Sequence, residues 1–344
     1  MEFRRFSAVA AGGLALVLVG CAGSPGGDPA SPGAEELTVV NVAYSVSSAL
    51  SAAPFAVATE NGYFAENGCK LGEQIEEATG GSNTLRSVID GGLDMGEVAT
   101  NAVIEAALSG TPITIVGVND HIRPHDMMYA VRKGEDIHGV EDLVGGGRLG
   151  FTNPGSATED MAYLILDAAG LTPEDVKLVA TNGLGGGIAL LEGGDVDAAM
   201  IIPAIYAQNG DKFDIGFVAT DYVPEYQATS YIASDEFLER DPDAVRCVLA
   251  GLDKAMGFIL EDPDAAAEIY AQYNEDYTVE QLAEELHLAI EADSLAGSVG
   301  FSVEGFEKVA LARELRTGER TEIPWAEFVD ASYLPSGAAS ELPE

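Results

Sequence analysis

The feature that most constrains the fold of this chain is a regular alternation of short apolar segments with short helices. Strands are predicted at 37–43, 71–76, 93–99 and 111–118, and helices at 54–61, 82–90 and 101–108. Helices that alternate with strands indicate a mostly parallel sheet with helices on both of its faces. The sequence therefore predicts an α/β fold.

The same alternation returns further along the chain. Strands are predicted at 148–152, 176–180 and 195–202, with helices at 156–169 and 187–191 between them. Residues 85–94 and 188–197 share one pattern, which is an apolar helix, an acid, Gly-Gly and a strand that opens around Asp. This repetition indicates two similar α/β units. In a chain of 344 residues we expect each unit to bury a core of its own.

The last third of the chain is predicted to be helical. Segments with helical periodicity lie at 241–261, 263–273, 279–296 and 303–315. A run of helices does not resemble a third α/β unit, so we expect it to pack back on the first one.

The amino-terminal residues predict export. Two arginines precede a run of apolar residues and glycine at 8–19, which is shorter than the roughly 20 residues that a membrane-spanning helix needs. Such a run is typical of a signal peptide, predicted here at 1–20. It ends in Leu-Val-Gly-Cys, which resembles a bacterial lipobox and makes Cys21 a candidate lipidation site. Ordinary cleavage with an incidental Cys21 is the alternative.

The segment that follows Cys21 predicts a tether. Residues 21–36 are rich in Pro, Gly, Ser and Ala, a composition that does not pack into a core. No later stretch is apolar for 18 residues, so we expect no further membrane segment. The predicted location is extracytoplasmic, with a lipid anchor holding the protein to the outer face of the cytoplasmic membrane.

The charge balance excludes one class of function. The chain has 17 Lys and Arg against 57 Asp and Glu, for a net charge of −40, whereas a protein that binds nucleic-acid phosphates needs a basic face. Its 47% of hydrophobic residues is too high for a disordered acidic tail. The acids are dispersed, which favours a protein that works at high salt, where ions screen the repulsion. An ordinary acidic secreted protein is the alternative.

Small polar residues recur where predicted strands end and helices begin. Ligands of open parallel sheets bind outside the carboxyl ends of strands, and helix N-termini offer free N–H groups there. The candidate ligand-binding residues are Tyr44, Ser47, Ser48, Gly81, Ser82, Asn83, Thr100 and Asn101 in the first unit, and Ser156, Ala157 and Thr158 in the second. Each is also explained as a helix cap, but recurrence in both units favours a binding site.

These motifs occur in an order that resembles the solute-binding proteins of ABC importers, in the nitrate/sulfonate/taurine and thiamine-precursor group. The resemblance covers roughly residues 37–335 and is carried by PFAVA at 54–58, ENGYF at 60–64, GGS at 80–82, GGLD at 91–94, GVEDL at 139–143, PGSAT at 154–158 and GDVDAA at 194–199. It implies a type II periplasmic-binding-protein fold, in which two lobes close on a ligand like a hinge.

The resemblance also implies domain boundaries. Lobe I is expected at 37–122 plus 230–335, lobe II at 123–229 and a flexible tail at 336–344, with crossings between the lobes near 121–129 and 219–231. Cys69 and Cys247 would both lie in lobe I, where a disulfide and two buried free thiols remain alternatives.

The function implied is capture of a small organic anion, such as a sulfonate, taurine or a nitrate-like oxyanion, and its delivery to a permease with a cytoplasmic ATPase. Fixed N–H and hydroxyl dipoles hold an anion without a lysine. We expect a monomer with no cofactor, no metal, no catalysis and no nucleic-acid partner.

Three alternatives remain open. The first is a protein that binds a thiamine-precursor pyrimidine, although Ile201 and Ile202 replace the Trp and Glu often found in that group. The second is an extracytoplasmic enzyme related to those of pyrimidine synthesis, although no Gly-x-Ser-x-Gly or His-Glu-x-x-His motif is present. The third is a ligand sensor for a membrane receptor.

One further cluster stands out at the first predicted crossing. His121-Ile122-Arg123-Pro124-His125 contains two of the four histidines of the chain. Arg123 offers a permanent charge and His125 a hydrogen-bond donor, which suits an anion-recognising edge. A solvated hinge loop is the alternative.

Overall fold

The structure is a computed structural model that describes residues 37–44, 49–72, 81–119, 123–274 and 277–343. The predicted signal peptide, the candidate lipidation site Cys21 and the predicted tether lie outside the described residues. So do the candidate ligand residues Ser47 and Ser48, and for Gly81, Ser82 and Asn83 only the backbone is described.

Strands and helices alternate through most of the described chain. The strands are β1 Thr38–Val40, β2 Val42–Ala43, β3 Cys69–Leu71, β4 Met95–Ala99, β5 Ile113–Val118, β6 Met128–Arg132, β7 Arg148–Phe151, β8 Lys177–Ala180, β9 Ala198–Ile201, β10 Phe213–Val218 and β11 Thr229–Ser234. The helices are α1 Ala49–Glu60, α2 Tyr63–Glu66, α3 Gly81–Ile89, α4 Thr100–Leu108, α5 Ala157–Ala168, α6 Leu184–Gly193, α7 Pro203–Asn209, α8 Asp235–Arg240, α9 Pro242–Glu261, α10 Pro263–Tyr270, α11 Val279–Glu291 and α12 Val303–Thr317.

Local chemistry explains several helix starts. Helices α9 and α10 each begin with proline, whose missing N–H costs nothing in a first turn. The preceding Asp241 and Asp262 accept hydrogen bonds from the backbone N–H groups of Ala244 and Ala265. The predicted strand at 37–43 is split at Asn41, whose backbone and side-chain N–H groups both donate to Asp94.

The strands form two main sheets, which confirms the predicted α/β fold. The first sheet has the order β2-β4-β11-β5 and the second the order β10-β6-β9-β7-β8, while β1 and β3 pair separately. In the first sheet β11 runs antiparallel to its neighbours, and in the second sheet β6 does. The remaining strands of each sheet share one direction, so both sheets are mostly parallel.

The two antiparallel strands have a common cause. Each is the first strand after the chain passes from one sheet to the other, since β6 follows β5 and β11 follows β10. The sequence analysis placed both strands partly inside the crossings and did not predict them. Each crossing is short, so it leaves one sheet at its carboxyl edge and enters the other sheet at the carboxyl edge of that sheet. The strand that begins there therefore runs antiparallel to its neighbours.

The largest core cluster is shared by both sheets, in addition to the core that was expected on each of them. It contains Val98 and Ile115 from the first sheet together with Tyr129 and Leu149 from the second. Two smaller clusters cover the other faces, one under α1, α9, α10 and α11 and one under α6. The hydrophobic core therefore continues from one sheet to the other, and residues 36–344 form one compact unit.

The last helix departs from its predicted position. Helices α9, α10 and α11 contribute to the core on the first sheet, as expected, but α12 packs against α5 of the second sheet as well as against α4. Its buried residues Phe306, Val309 and Ala312 belong to the shared core. The helical third therefore packs on both units and helps to join them.

The carboxyl-terminal segment contacts this region too. The backbone N–H of Phe301 donates to the carbonyl of Ala339 over 2.8 Å, and Leu342 packs against the shared core. The flexibility expected of 336–344 stays a prediction.

A disulfide decides between the two alternatives for the cysteines. Cys69 in β3 is bonded to Cys247 in α9, at a sequence separation of 178 and with 6.1 Å between their Cα atoms. It fastens the edge strand pair β1–β3 to the long helix α9. Within the described ranges, no helix is long and apolar enough to cross a bilayer.

Candidate functional site

The two connections between the sheets show which of their edges face each other. The first runs from the end of β5 at Val118 to the start of β6 at Met128, and the second from Val218 to Thr229. Both leave one sheet at the carboxyl ends of its parallel strands and enter the other at the same edge. The carboxyl edges of the two sheets therefore face each other, which is where ligands of such sheets bind.

A cluster of hydroxyl groups lies at the edge of the second sheet, where β7 ends and α5 begins. The Thr152 and Thr158 hydroxyls are 2.7 Å apart, and the Ser156 hydroxyl lies 2.9 Å from that of Thr158. Ser156 caps α5 by accepting from the N–H of Glu159. The predicted residues Ser156, Ala157 and Thr158 thus form the first turn of a helix at the carboxyl edge, beside N–H groups that lack intrahelical acceptors.

The neighbouring connection between β8 and α6 has a backbone conformation that lets a ligand approach its N–H groups closely. Asn182 adopts a left-handed conformation with φ of 59°, and Gly183 follows with φ of 107°. A left-handed residue followed by a helix N-terminus directs successive N–H groups into one concavity, an arrangement that binds anions. The sequence analysis missed Asn182, although an Asn-Gly pair is a usual sign of this conformation.

Gly186 is required by this connection. A Cβ atom on Gly186 would collide with the carbonyl oxygen of Thr181, whereas a Cβ on Gly185 would meet open space. We therefore expect Gly186→Ala to lower the free energy of unfolding by about 1–3 kcal/mol, because the backbone of the connection must shift. Denaturant unfolding measures this. Gly185→Ala is the matched control and should be neutral or mildly stabilising; equal losses for both variants would contradict the collision.

On the first sheet, the candidate residues Thr100 and Asn101 are both buried and contact protein groups. The Thr100 hydroxyl lies 2.8 Å from that of Ser230. The Asn101 amide donates to the carbonyl of Gly155 over 3.1 Å and to Asp160 over 2.9 Å, and among the residues that the structure describes its own oxygen has no hydrogen-bond partner. Asn101 therefore ties the start of α4 to the loop that precedes α5.

Asp160 is the centre of a buried polar cluster that the sequence analysis missed. Besides Asn101, its carboxylate accepts from the Tyr226 hydroxyl and the Arg316 guanidinium, each over 3.2 Å, and Arg316 also donates to Glu105. Burial raises the pKa of Asp160 to about 6, although Arg316 acts in the opposite direction. In sequence Asp160 looked like an ordinary acid in the first turn of a helix, where acids are favoured.

The remaining candidates of the first unit lie near the same edge. Tyr44 follows β2 directly and is half-buried, with its ring stacked on Phe55 at a centroid distance of 5.8 Å. The backbone of Gly81, Ser82 and Asn83 forms the first turn of α3.

The structure gives Arg123 a partner that was not predicted. Its guanidinium pairs with the carboxylate of Asp293 and donates to the Asp293 carbonyl, just after α11 ends. His125 lines a small cavity with Asp126 and Ser294, close to the start of α7. Arg123 is thus matched by an acid, and an anion-recognising role for Arg123 and His125 stays a prediction. No cluster of three metal-ligating side chains occurs among the residues that the structure describes.

The residues at the end of β9 are apolar. Ile201 is buried in the core under α6, and Ile202 precedes Pro203, the first residue of α7. Pro203 lacks an N–H, so α7 offers one donor fewer than α5 or α6.

Two mostly parallel sheets, joined by two crossings with their carboxyl edges opposed, define the two-lobed periplasmic-binding-protein fold. Within this class, the chain belongs to the NMT1/THI5-like family, whose model matches residues 50–266.

Comparison with solved structures supports the fold assignment. The periplasmic aliphatic sulphonate-binding protein SsuA from Escherichia coli is 17% identical and superposes with a TM-score of 0.66 over 90% of this chain and 95% of its own. The periplasmic nitrate-binding protein NrtA from Synechocystis PCC 6803 is 13% identical, with a TM-score of 0.58 over 72% of this chain and 70% of its own.

The chain is also similar to a curated enzyme. The 4-amino-5-hydroxymethyl-2-methylpyrimidine phosphate synthase of Aspergillus parasiticus is 25% identical over 234 residues, which cover 63% of this chain. The chain spans 66% of the length of that relative.

Proposed function

We propose that this protein is an extracytoplasmic solute-binding protein of an ABC importer. It captures a small organic anion, such as a sulfonate, taurine or a nitrate-like oxyanion, between its two sheets and delivers it to a membrane permease driven by a cytoplasmic ATPase. The observation that carries the proposal is the opposition of the two carboxyl edges, with hydroxyl groups and helix N-termini at the second one.

The main proposed contacts to the anion lie at the edge of the second sheet. Ser156, Ala157 and Thr158 at the start of α5 and the connection around Asn182 supply uncharged donors. Hydroxyl and N–H dipoles fixed by the fold stabilise a negative charge without a lysine. Tyr44, Ser47, Ser48, Gly81, Ser82, Asn83, Thr100 and Asn101 are proposed to face them from the first sheet, with Arg123 and His125 at the hinge.

Export and anchoring are part of the same proposal. The signal peptide, Cys21 and the tether would hold the protein, as a monomer, on the outer face of the cytoplasmic membrane. The Cys69–Cys247 disulfide supports an oxidising compartment, because disulfides are rare in the cytosol. The net charge of −40 supports work at high salt, since it opposes the approach of an anion unless ions screen it.

The second candidate is a protein that binds or makes a thiamine-precursor pyrimidine. The similarity to a pyrimidine phosphate synthase favours it. The apolar Ile201 and Ile202 at the end of β9 disfavour it, because an aliphatic side chain does not supply the stacking surface of an aromatic ring.

A thermal-shift panel tests the proposal. Ethanesulfonate, taurine, nitrate and a hydroxymethylpyrimidine are each added at low and at high salt. A ligand present at 100 times its Kd stabilises the folded state by about 2.7 kcal/mol, so a true ligand raises Tm clearly. Stabilisation by an anion supports the proposal, stabilisation by the pyrimidine alone favours the second candidate, and no stabilisation by any of them counts against both.

A variant pair then locates the site. Ser156→Ala should weaken binding of the stabilising anion by about tenfold, the equivalent of one lost hydrogen bond. The matched control is Ser302→Ala, which removes the cap of α12 instead. Isothermal titration measures both affinities, and equal affinities in the two variants would remove Ser156 from the site.

A further inference from the structure

A buried carboxylate lies where both crossings meet the first sheet. Glu97 is in β4 and is fully buried. Its Oε1 atom accepts from the Asn119 amide over 3.1 Å and from the Thr229 hydroxyl over 2.6 Å. Asn119 is the residue directly after β5, and Thr229 is the first residue of β11. One oxygen atom of Glu97 thus accepts hydrogen bonds from both crossings, where the chain leaves the first sheet at Asn119 and where it returns at Thr229.

Gln227 closes this arrangement into a network. Its side-chain amide donates to the carbonyl of Asn119 over 3.1 Å and to that of Thr229 over 2.9 Å, and the side chain is fully buried. The two crossings are therefore bonded to each other as well as to Glu97. Each of these hydrogen bonds is strong because it lies in surroundings of low dielectric.

A proline extends the network to the first helix. Pro54 lies inside α1 and has no N–H for the carbonyl of Leu50, four residues earlier. Asn119 donates to that carbonyl over 3.3 Å with the same amide that reaches Glu97. The start of α1, next to the candidate ligand residues of the first unit, is in this way joined to the first crossing.

We propose that Glu97 is the positioning residue of the hinge, which fixes both crossings on the first sheet and couples them to the start of α1. Bending between the sheets then leaves the hydrogen bonds among Glu97, Asn119, Gln227 and Thr229 intact. The proposal rests on the proposed function only in assigning this bending to ligand capture.

Single-molecule fluorescence energy transfer tests the hinge without a ligand. Dyes are attached through non-canonical amino acids at the exposed positions Glu239 and Glu174, which lie in the parts of the chain that belong to the first and second sheets. Glu97→Leu removes the shared acceptor and is expected to widen the distance distribution about twofold, because the two crossings lose their common anchor. Glu97→Gln keeps an acceptor oxygen and should restore the wild-type distribution.

Controls separate the hinge from general stability. Leu252→Ala opens a cavity in the core under α9 and should leave the distribution unchanged. If Glu97→Leu does not fold, Thr229→Val and Asn119→Ala, which each remove one donor, take its place. A wild-type distribution in all variants that lack a bond to Glu97, or equal widening in Leu252→Ala, would overturn the proposal.

Adding ethanesulfonate tells the two proposals apart. A shift of the wild-type distance supports anion capture. Widening in Glu97→Leu with no ethanesulfonate response in the wild type leaves the hinge in place and rejects that ligand class.

Discussion

Replacing Asp160 with alanine is expected to lower the free energy of unfolding at pH 7 by about 3–5 kcal/mol, the usual cost of removing one partner of a buried ion pair. The substitution removes one acceptor from each of Asn101, Tyr226 and Arg316, and Tyr226 is buried as well. Because these donors come from α4, the second crossing and α12, the loss should loosen the junction between the sheets. Denaturant unfolding followed by fluorescence of the single tryptophan, Trp325, measures the change.

The matched control is Asp167→Ala, which removes an exposed acid from the same helix and should change stability by less than about 0.5 kcal/mol. A loss at Asp160 no larger than that at Asp167 would contradict the role of the cluster.

The same cluster makes a prediction about pH. The pKa of Asp160 is raised from 3.8 to about 6, so the folded state binds this proton more tightly than the unfolded state does. Its stabilising effect is present below about pH 4 and is lost as the pH rises through 6, by roughly 3 kcal/mol for a shift of two pKa units. Asp160→Asn cannot ionise. The stability of the wild type relative to Asp160→Asn should therefore fall between pH 4 and pH 7, and a constant or rising difference would show that Asp160 is not titrating there.

Loss of the Cys69–Cys247 disulfide is expected to destabilise the protein by about 3–5 kcal/mol. The bond closes a loop across 178 residues, and a cross-link over so long a loop removes much of the freedom of the unfolded chain. Both cysteines are buried against the core of the first sheet. Urea unfolding of the variant with both cysteines changed to serine measures the effect.

Reductant provides the control for the prediction about the disulfide. Under reducing conditions the wild type should unfold at nearly the same urea concentration as the serine variant, while the serine variant should not respond. If the fully reduced wild type keeps its oxidised stability, the disulfide does not stabilise the fold.

Much of the fold was predictable because parallel strands are buried on both faces. Such strands appear as short apolar runs, and β4, β5, β7, β8 and β9 were all found in this way. Strands β6, β10 and β11 were missed. They depend on pairing with segments far away in sequence, as in the ladder of β11 with both β4 and β5, which a local pattern does not contain.

The candidate site was predictable to a similar extent. The first turn of α5 could be located because capping residues follow a strand, and Ser156 does cap that helix. Asp160 and Glu97 carry no local sign of their role, since their hydrogen-bond partners lie at least 22 positions away in sequence. Gln227 carries none either, because it reaches Asn119, 108 positions earlier. Arg123 illustrates the converse, because its partner Asp293 is 170 residues distant.

By itself, the sequence determined the α/β class, the order of most elements and the helix starts at the strand ends, because hydrophobic periodicity and capping act over a few residues. Only the tertiary structure decided that both sheets share one core, that α12 joins them, that Cys69 meets Cys247 and that Glu97 holds both crossings. Those features arise from contacts between segments that are far apart in sequence. Such contacts form, and stabilise the protein, only when the chain has folded.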